Sequence, residues 1–275
     1  MLASALVATC CALVSAAPAP SASDAHAFAA SLARAGPRPA GSAAERRGHQ
    51  RVAARMRAAG LRVGFERFAV PGHGPSRDVI GIRDAPASCL VIAMAHTDTV
   101  PPAPGADDNA SGVGTIVALA AALGAGPVPS CDVWLVATGA EERPYTGTPD
   151  HLGASALVRR LRRMGRLDDV RLALSLDEVG RGSRFALHST AAEPRANVEQ
   201  RILDAGGGRV RYVRDPTGEG NSDHRELARA GAPAAKLGVV DEPCRHTACD
   251  TPDRLQRAAF TRVLRIVWPL LRTWT

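Results

Sequence analysis

Seven side chains that could bind metal ions or transfer protons stand beside the apolar runs of this sequence, where strands of a sheet would end. They are His96, Asp98, Asp108, Glu141, Glu142, Asp177 and His246. Ligands gather at the carboxyl ends of strands in an open parallel sheet, so these side chains are expected to share one edge. Two imidazoles and several carboxylates suit a pair of divalent ions, and the mixture of nitrogen and oxygen donors suits zinc. A carboxylate between two such ions would hold them as a co-catalytic pair.

The apolar runs and the segments between them predict the elements that carry these side chains. Strands are predicted at 61–70, 78–82, 90–95, 133–137, 170–176, 184–188 and 234–238. Helices are predicted at 25–32, 44–59, 111–123, 154–164, 194–205 and 252–271. A turn-forming segment at 71–75 joins the first two strands and predicts a hairpin. The alternation of buried strands with helices predicts an α/β fold, a three-layer α/β/α domain with a mixed, mainly parallel central sheet.

The order of the motifs resembles the M28 family of zinc aminopeptidases. The matching segments are His96-Thr97-Asp98, the run GADDNASG at 105–112, Gly139-Ala140-Glu141-Glu142, Asp177-Glu178-Val179-Gly180 and Cys244-Arg245-His246. The segments 41–46 and 222–224 resemble two further landmarks of that family. No single segment is specific, but the ordered series covers most of the chain.

This resemblance implies a ligand set for two zinc ions. Asp108 would bridge the ions. His96 and Asp177 would complete the coordination of one ion, while Glu142 and His246 would complete that of the other. The implied activity is removal of N-terminal residues from peptides by a water that the two ions activate.

The resemblance also implies roles for two carboxylates that do not bind metal. Glu141 would be the general base, which takes a proton from water and gives it to the leaving amine. Asp98 would accept the second ring N–H of His96. Arg245 departs from the family pattern, which often has a tyrosine here. A cation at this position could stabilise the oxyanion, bind a substrate carboxylate or point to solvent. The segment 143–153 departs as well and leaves specificity open.

Three other functions remain as alternatives to a secreted zinc aminopeptidase. A carboxypeptidase would use Arg245 to bind the substrate carboxylate. A glutaminyl cyclase would use one zinc ion on the same fold, and the presence of both His96 and Asp177 weakens that reading. An inactive binding module is disfavoured because the ligands and Glu141 are all retained. We expect peptides as the partners and a monomer as the oligomeric state.

The N-terminal segment indicates export. Residues 1–23 carry no charged side chain, and a 13-residue apolar stretch at 2–14 precedes small residues and a proline-rich segment, as in a signal peptide. We expect a signal peptide and leader at 1–23 and one catalytic domain at 24–275, secreted rather than lipid-anchored. Four cysteines remain beyond the leader, and an even number in an exported chain predicts disulfides. The expected pairs are Cys89 with Cys131 and Cys244 with Cys249.

Composition excludes several classes of protein and says little about partners. Apolar residues make up 45% and charged residues 22%, which is typical of a globular chain rather than a disordered one. The net charge is +7, but the basic residues are interspersed with acidic ones, so we expect no nucleic-acid partner. We also expect no stable membrane association, because no apolar run beyond the leader reaches about 20 residues. The arginines at 159, 160, 162, 163 and 166 are expected on a solvated helix face, and His151 in a structural or exposed position.

Overall fold

The computed structural model describes residues 18–216 and 220–274, so most of the expected signal peptide lies outside the described residues. The helices are α1 (Ala22–Ala33), α2 (Ala43–Ala58), α3 (Gly112–Ala125), α4 (Arg143–Thr146), α5 (Leu152–Arg163), α6 (Glu199–Gly206), α7 (His224–Arg229) and α8 (Arg257–Arg272). The strands are β1 (Arg62–Val70), β2 (Gly74–Arg83), β3 (Leu90–His96), β4 (Asp132–Thr138), β5 (Val170–Leu176), β6 (Phe185–Ser189), β7 (Val210–Arg214) and β8 (Ala234–Val239). A π-helical turn (Ala106–Ser111) precedes α3, and a 3₁₀ turn (Pro252–Arg254) precedes α8.

The eight strands form one mixed sheet in the order β1-β2-β4-β3-β5-β8-β6-β7. The central strands β4, β3, β5 and β8 are mutually parallel, so their carboxyl ends meet at one edge. The predicted hairpin β1–β2 is present, and β2 pairs antiparallel with β4. On the other side, β6 pairs antiparallel with β8 and parallel with β7.

Helices cover both faces of the sheet, because side chains of a strand alternate between the faces. Val91 and Ala93 of β3 belong to a core that also contains residues of α1, α2, α3, α6 and α8. Ile92 and Met94 of the same strand belong to a second core, with residues of α5 and α7. The fold is therefore the predicted three-layer α/β/α arrangement.

The structure corrects several of the predicted elements. The helices α4 and α7 were not predicted because they have only four and six residues, and β7 was not predicted because it is a short, arginine-rich strand at the sheet edge. The predicted helix 194–205 begins later, at Glu199. The predicted helix 252–271 is interrupted where Leu255 and Gln256 adopt extended backbone angles between the 3₁₀ turn and α8.

The stretch Ala106–Ala125 is the one described helical segment long and apolar enough to cross a membrane by length and composition. In the fold, 83% of its most apolar window is buried. The stretch begins with the π-helical turn and continues through α3, which packs in the first core. Its apolar composition is therefore accounted for by core packing.

Both predicted disulfides are present. Cys89 is bonded to Cys131 immediately before β3 and β4, and the register of these parallel strands places Leu90 opposite Asp132. Cys244 is bonded to Cys249 and closes a short loop after β8. This second bridge encloses His246, one of the predicted metal ligands.

Candidate metal centre

A cavity of about 530 Å³ opens at the carboxyl edge of the parallel strands. Its wall contains all five predicted metal ligands together with the predicted general base: His96, Asp108, Glu142, Asp177, His246 and Glu141. These residues come from the ends of β3, β4 and β5, from the π-helical turn and from the loop after β8. The sheet edge thus brings together side chains that are up to 150 positions apart in sequence.

Asp108 lies between the two predicted histidine ligands. Its Oδ1 is 3.1 Å from Nε2 of His96, and its Oδ2 is 3.2 Å from Nε2 of His246. The other carboxylates complete two groups, because Asp177 Oδ1 lies 3.5 Å from Nε2 of His96 and Glu142 Oε2 lies 2.9 Å from Nε2 of His246. One carboxylate therefore faces two separate ligand groups with one oxygen each.

These distances fit metal coordination. Ligand atoms about 2.0 Å from a tetrahedral ion lie about 3.3 Å from one another, close to the separations observed here. The ligand atoms of His96, Asp108 and Glu142 lie within 4.8 Å of one another, as do those of His96, Glu141 and Asp177, so the two predicted ligand groups adjoin at His96 and Glu141 lies beside them. Glu142 Oε1 and Asp177 Oδ1 are buried without a hydrogen bond in the described part of the chain. Buried oxygens of this kind ordinarily have a partner, and a divalent cation would supply one.

The electrostatic surroundings of the imidazoles also favour a cation. Burial alone disfavours a charged imidazole, but the carboxylates of Asp108 and Glu142 raise the pKa of His246 to about 10. The pKa of His96 is likewise raised well above its usual range, by Glu141 and by the carboxylates bonded to its ring, against the effect of burial. Positive charge is therefore stabilised at both ligand groups.

The position of Asp108 is fixed by a residue that the sequence did not reveal. The carboxylate of Asp250 accepts the backbone N–H groups of Asp107 at 2.8 Å and of Asp108 at 3.0 Å. The same turn is tied to β5, since the amide of Asn109 donates to the carbonyl of Leu176 at 2.9 Å. Gly112 follows, and a Cβ there would lie 2.1 Å from that carbonyl oxygen, so the close approach of α3 requires glycine.

A buried arginine holds the segment between His96 and Asp108. Arg38 is 1% exposed, and its guanidinium donates to the carbonyl oxygens of Thr97 at 2.8 Å, Pro104 at 2.8 Å and Gly105 at 3.0 Å. Its backbone N–H also donates to Oγ1 of Thr99. One side chain thus satisfies three carbonyls of an irregular segment that passes beneath the site.

Asp98 differs from its predicted role. The ring nitrogen Nδ1 of His96 lies 3.1 Å from the backbone carbonyl of Asp98 and 3.7 Å from its carboxylate. The carboxylate instead accepts the backbone N–H groups of Glu141 at 3.0 Å and Glu142 at 3.2 Å. Asp98 therefore orients the backbone of the two glutamates as well as the imidazole.

Glu45 is a second buried carboxylate near this segment. Its oxygens accept the backbone N–H of Gly41 and the hydroxyl of Ser76, both at 2.8 Å. Burial, together with the negative charge of Asp98, raises the pKa of Glu45 to about 8. Glu45 lies in the segment 41–46, which resembles a landmark of the M28 family, and its carboxylate binds Gly41 and Ser76 and does not line the cavity.

His151 contacts the predicted general base, contrary to the expectation of a structural or exposed histidine. It is 4% exposed, and its Nε2 lies 2.9 Å from Oε1 of Glu141. Its Nδ1 lies 3.2 Å from Asp150, whose carboxylate accepts an N–H of Arg225 at 2.6 Å. His151 precedes α5 in the left-handed region with a φ of 51°, which turns its ring toward the cavity wall. The segment 143–153, which departs from the family pattern, carries this contact.

Arg245 is bound to a carboxylate of the same chain, so it does not simply point to solvent. Its guanidinium donates two hydrogen bonds to the carboxylate of Glu178, and the Nε bond is 2.6 Å long.

Lys236, the only lysine of the chain, lies 3.1 Å from Oδ2 of Asp177 and 3.7 Å from Glu178. Lys236 and the imidazole of His96 hold the pKa of Asp177 well below its usual range despite burial. Sequence reasoning missed Lys236 because it stands inside an apolar strand.

Comparison with known proteins gives a family match and several solved structures of similar fold. The family model for peptidase family M28 matches residues 78–271, and no curated protein matches the sequence. A zinc aminopeptidase from Bacillus subtilis superposes with a TM-score of 0.82 at 18% identity, covering 94% of this chain and 97% of that one.

Two structures from Bacteroides thetaiotaomicron are also similar. A leucine aminopeptidase precursor has a TM-score of 0.82 at 20% identity and covers 95% of this chain and 100% of its own. A glutaminyl cyclase bound to N-acetylhistamine has a TM-score of 0.81 at 20% identity, covering 94% of this chain and 100% of its own. These likenesses show the fold, and the family model covers well over half of the sequence. The chain therefore belongs to peptidase family M28 and is a metallopeptidase-type hydrolase.

Proposed function

We propose that this protein is a secreted aminopeptidase that removes N-terminal residues from peptides with the help of two zinc ions. The observation that carries the proposal is the position of Asp108, whose two carboxylate oxygens face the imidazoles of two separate ligand groups. A carboxylate with one oxygen toward each group is the arrangement that a co-catalytic ion pair requires. The zinc aminopeptidase of Bacillus subtilis, which shares the fold, supports the choice of metal.

In this proposal, each ion has its own pair of ligands beside the shared Asp108. His96 and Asp177 would hold one ion, and Glu142 and His246 the other. Zinc, when bound, lowers the pKa of water toward neutrality and polarises a carbonyl oxygen.

Glu141 is the residue that would move protons. Its carboxylate is 6% exposed at the cavity wall and is held through its backbone by Asp98 and through its side chain by His151. It would take a proton from the attacking water and return it to the amine of the departing peptide. Glu141 also lies among candidate ligand atoms, so its carboxylate is close enough to the reacting atoms for this transfer.

The ion pairs of the cavity wall favour an N-terminal over a C-terminal substrate group. Six acidic side chains and five arginine or lysine side chains line the cavity, and each of the five cations forms an ion pair with a carboxylate of the chain, so none is left unpaired for a substrate carboxylate. A carboxypeptidase would need Arg245 for the substrate carboxylate, but two N–H groups of this arginine already bind Glu178. Arg245 is therefore placed to orient Glu178 rather than to bind the substrate's end.

Glutaminyl cyclase activity is the second candidate, and one observation favours it. Lys236 lies 3.1 Å from Oδ2 of Asp177, so a protein cation already neutralises one ligand of the His96 group. Such a contact weakens the attraction of Asp177 for an ion and favours a state with one ion. The glutaminyl cyclase of Bacteroides thetaiotaomicron shares the fold at similar overall likeness.

One set of measurements separates the two candidates. The purified chain is tested on peptides with a free N-terminus, on their N-acetylated forms and on peptides that begin with glutamine, with zinc content measured by mass spectrometry. We expect two zinc ions, release of N-terminal residues only from free peptides, and loss of activity with a chelator or in Glu141→Gln. Cyclisation of N-terminal glutamine without cleavage, by a protein with one ion, would instead establish the second candidate. Cleavage that survives both chelation and Glu141→Gln would overturn both.

Export, a single catalytic domain at 24–275 and a monomeric state belong to the same proposal. The two disulfides support an oxidising compartment, where such bonds persist. Sequencing the N-terminus of the mature protein tests the leader. A start near residue 23 is expected, and a protein that retains residue 1 would contradict export through a cleaved signal.

A further inference from the structure

A second, shallower groove adjoins the catalytic cavity, and Arg229 belongs to the walls of both. The groove has a volume of about 230 Å³ and lies on the outer surface of α5 and α7. Its other basic residues are Arg159 and Arg162 of α5. The groove is therefore a basic surface that continues outward from the mouth of the candidate site.

The arginines of α5 fall into two sets. Arg160 and Arg163 both contact Glu66, with N–O distances of 3.3 and 2.7 Å. Arg159 and Arg162 are exposed, and within the described residues they have neither a hydrogen bond nor an ion pair. The two guanidinium groups on the groove side thus keep their full hydrogen-bonding capacity for a ligand.

The acidic residue of the groove does not cancel this charge. Glu226 accepts N–H groups of Arg225 at 2.8 Å and of Arg229 at 3.3 Å, so its carboxylate is shared by two arginines. Arg225 continues to Asp150, which contacts His151 in the cavity wall. A chain of ion pairs therefore connects the groove rigidly to the catalytic cavity.

We propose that this groove binds acidic side chains of the peptide on the C-terminal side of the bond to be cleaved, so that acidic peptides are the preferred substrate class. This inference rests on the proposed aminopeptidase function. If the N-terminal residue occupies the cavity, the rest of the peptide must leave through its mouth, where Arg229 leads into the groove. Guanidinium groups donate strong, paired hydrogen bonds to carboxylates.

The spacing of the arginines specifies a pattern. Side chains three positions apart on a helix have Cβ atoms about 5–6 Å apart. Alternate side chains of an extended peptide point the same way and are about 6.8 Å apart. Arg159 and Arg162 therefore match two acidic residues separated by one position.

The expected preference is modest because the contacts are exposed. An exposed ion pair contributes about 0.2–1 kcal/mol, so two pairs correspond to about a 2- to 30-fold higher kcat/KM for the acidic peptide. The preference should shrink with salt, since exposed charges are screened over about 10 Å at 0.1 M ionic strength.

The test compares two peptides with free N-termini, Ala-Ala-Asp-Ala-Asp-Ala amide and its isosteric Asn counterpart. The full chain is compared with Arg159→Gln/Arg162→Gln and with a control of equal charge, Arg47→Gln/Arg55→Gln on α2, in the opposite layer. We expect the wild-type protein and the control to prefer the Asp peptide, mainly through KM. The groove variant should lose the preference, with its kcat/KM for the Asp peptide falling to its own value for the Asn peptide.

A binding measurement keeps this inference separate from the proposed function. Fluorescence anisotropy of both peptides with Glu141→Gln reports affinity without cleavage. Failure to cleave any peptide with a free N-terminus would overturn the aminopeptidase proposal. The groove would still be supported if the protein bound the Asp peptide more tightly than the Asn peptide and if substitution of Arg159 and Arg162 removed that difference. Equal binding of the two peptides, or a preference that survives in the groove variant, would overturn the inference.

Discussion

Replacing His151 with asparagine is expected to lower kcat and leave KM nearly unchanged. The imidazole lies 2.9 Å from Oε1 of Glu141 and is held on its other side by Asp150 at 3.2 Å. Asparagine is the appropriate substitute because it tolerates the left-handed backbone found here, with a φ of 51°. Its shorter side chain cannot reach the glutamate. The change therefore removes the support of the general base without straining the start of α5.

The magnitude follows from the kind of contact that is lost. Side chains in direct contact within one charged network show interaction energies of about 0.5–3 kcal/mol. With about 1.36 kcal/mol for each factor of ten in rate, the loss corresponds to about a 2- to 150-fold lower kcat. Substitution of the general base Glu141 should lower kcat further, because general base catalysis accelerates a reaction about 10²–10⁴-fold. The His151→Asn variant should thus be impaired less than Glu141→Gln.

The assay is steady-state hydrolysis of a neutral peptide with a free N-terminus, with zinc content measured on the same samples. His151 does not belong to the candidate ligand groups, so zinc content should not change. His26→Asn serves as the control, because His26 packs against Phe260 in the opposite helical layer. The variant His151→Gln, whose longer amide can approach Glu141, should recover part of the lost kcat.

Two results would refute this reasoning. A kcat within twofold of wild type, with zinc retained, would show that the contact with His151 does not position Glu141. A loss of activity that parallels a loss of zinc or of folded protein would assign His151 a structural role instead. The His151→Gln variant distinguishes these cases, since a positioning role predicts partial recovery of kcat.

Three further predictions concern stability and charge. Arg38→Met should lower the free energy of unfolding in urea by about 3 kcal/mol or more, since it leaves three backbone carbonyls without their donors at about 1–3 kcal/mol each, and a change below about 1 kcal/mol would contradict the role of Arg38. The pKa of Glu45 is raised from 4.5 to about 8, so between these pH values the folded state keeps a proton that the unfolded state releases. The free energy of unfolding should therefore fall as pH rises through this range. Glu45→Gln should remove this contribution to the pH dependence of stability. Lys236→Met should destabilise the zinc-free protein because Asp177 loses its cation. Bound zinc should offset this loss of stability. Equal destabilisation with and without zinc would refute the prediction.

The candidate ligands could be predicted because their positions follow from local pattern. The strands β3, β4 and β5 have continuous apolar runs in their centres, and such strands are buried on both faces of a parallel sheet. A polar residue directly after such a strand can lie only at the sheet edge. His96 and Asp177 are therefore brought together by the fold itself, and the sequence contains that information.

Partners across the sheet could not be predicted in the same way. Lys236 stands in an apolar strand, and its pattern predicts burial but not the neighbouring group. Only the register of β8 on β5, which places Lys236 opposite Ser175, brings its ammonium group to Asp177. His151 is a similar case, because a left-handed backbone residue at the start of α5 directs its ring, and no periodic signal marks such a position.

These missed residues explain how a chain of net charge +7 can contain a carboxylate-rich site. Two lines of alternating charge enter the cavity wall from opposite sides. One comprises Arg225, Asp150, His151 and Glu141, and the other comprises Arg245, Glu178, Lys236 and Asp177. Each line ends at a carboxylate with a proposed role in the reaction, and each carboxylate of the two lines has a basic side chain beside it. The net charge of the chain describes its surface, whereas the charge of the site is determined by these neighbours.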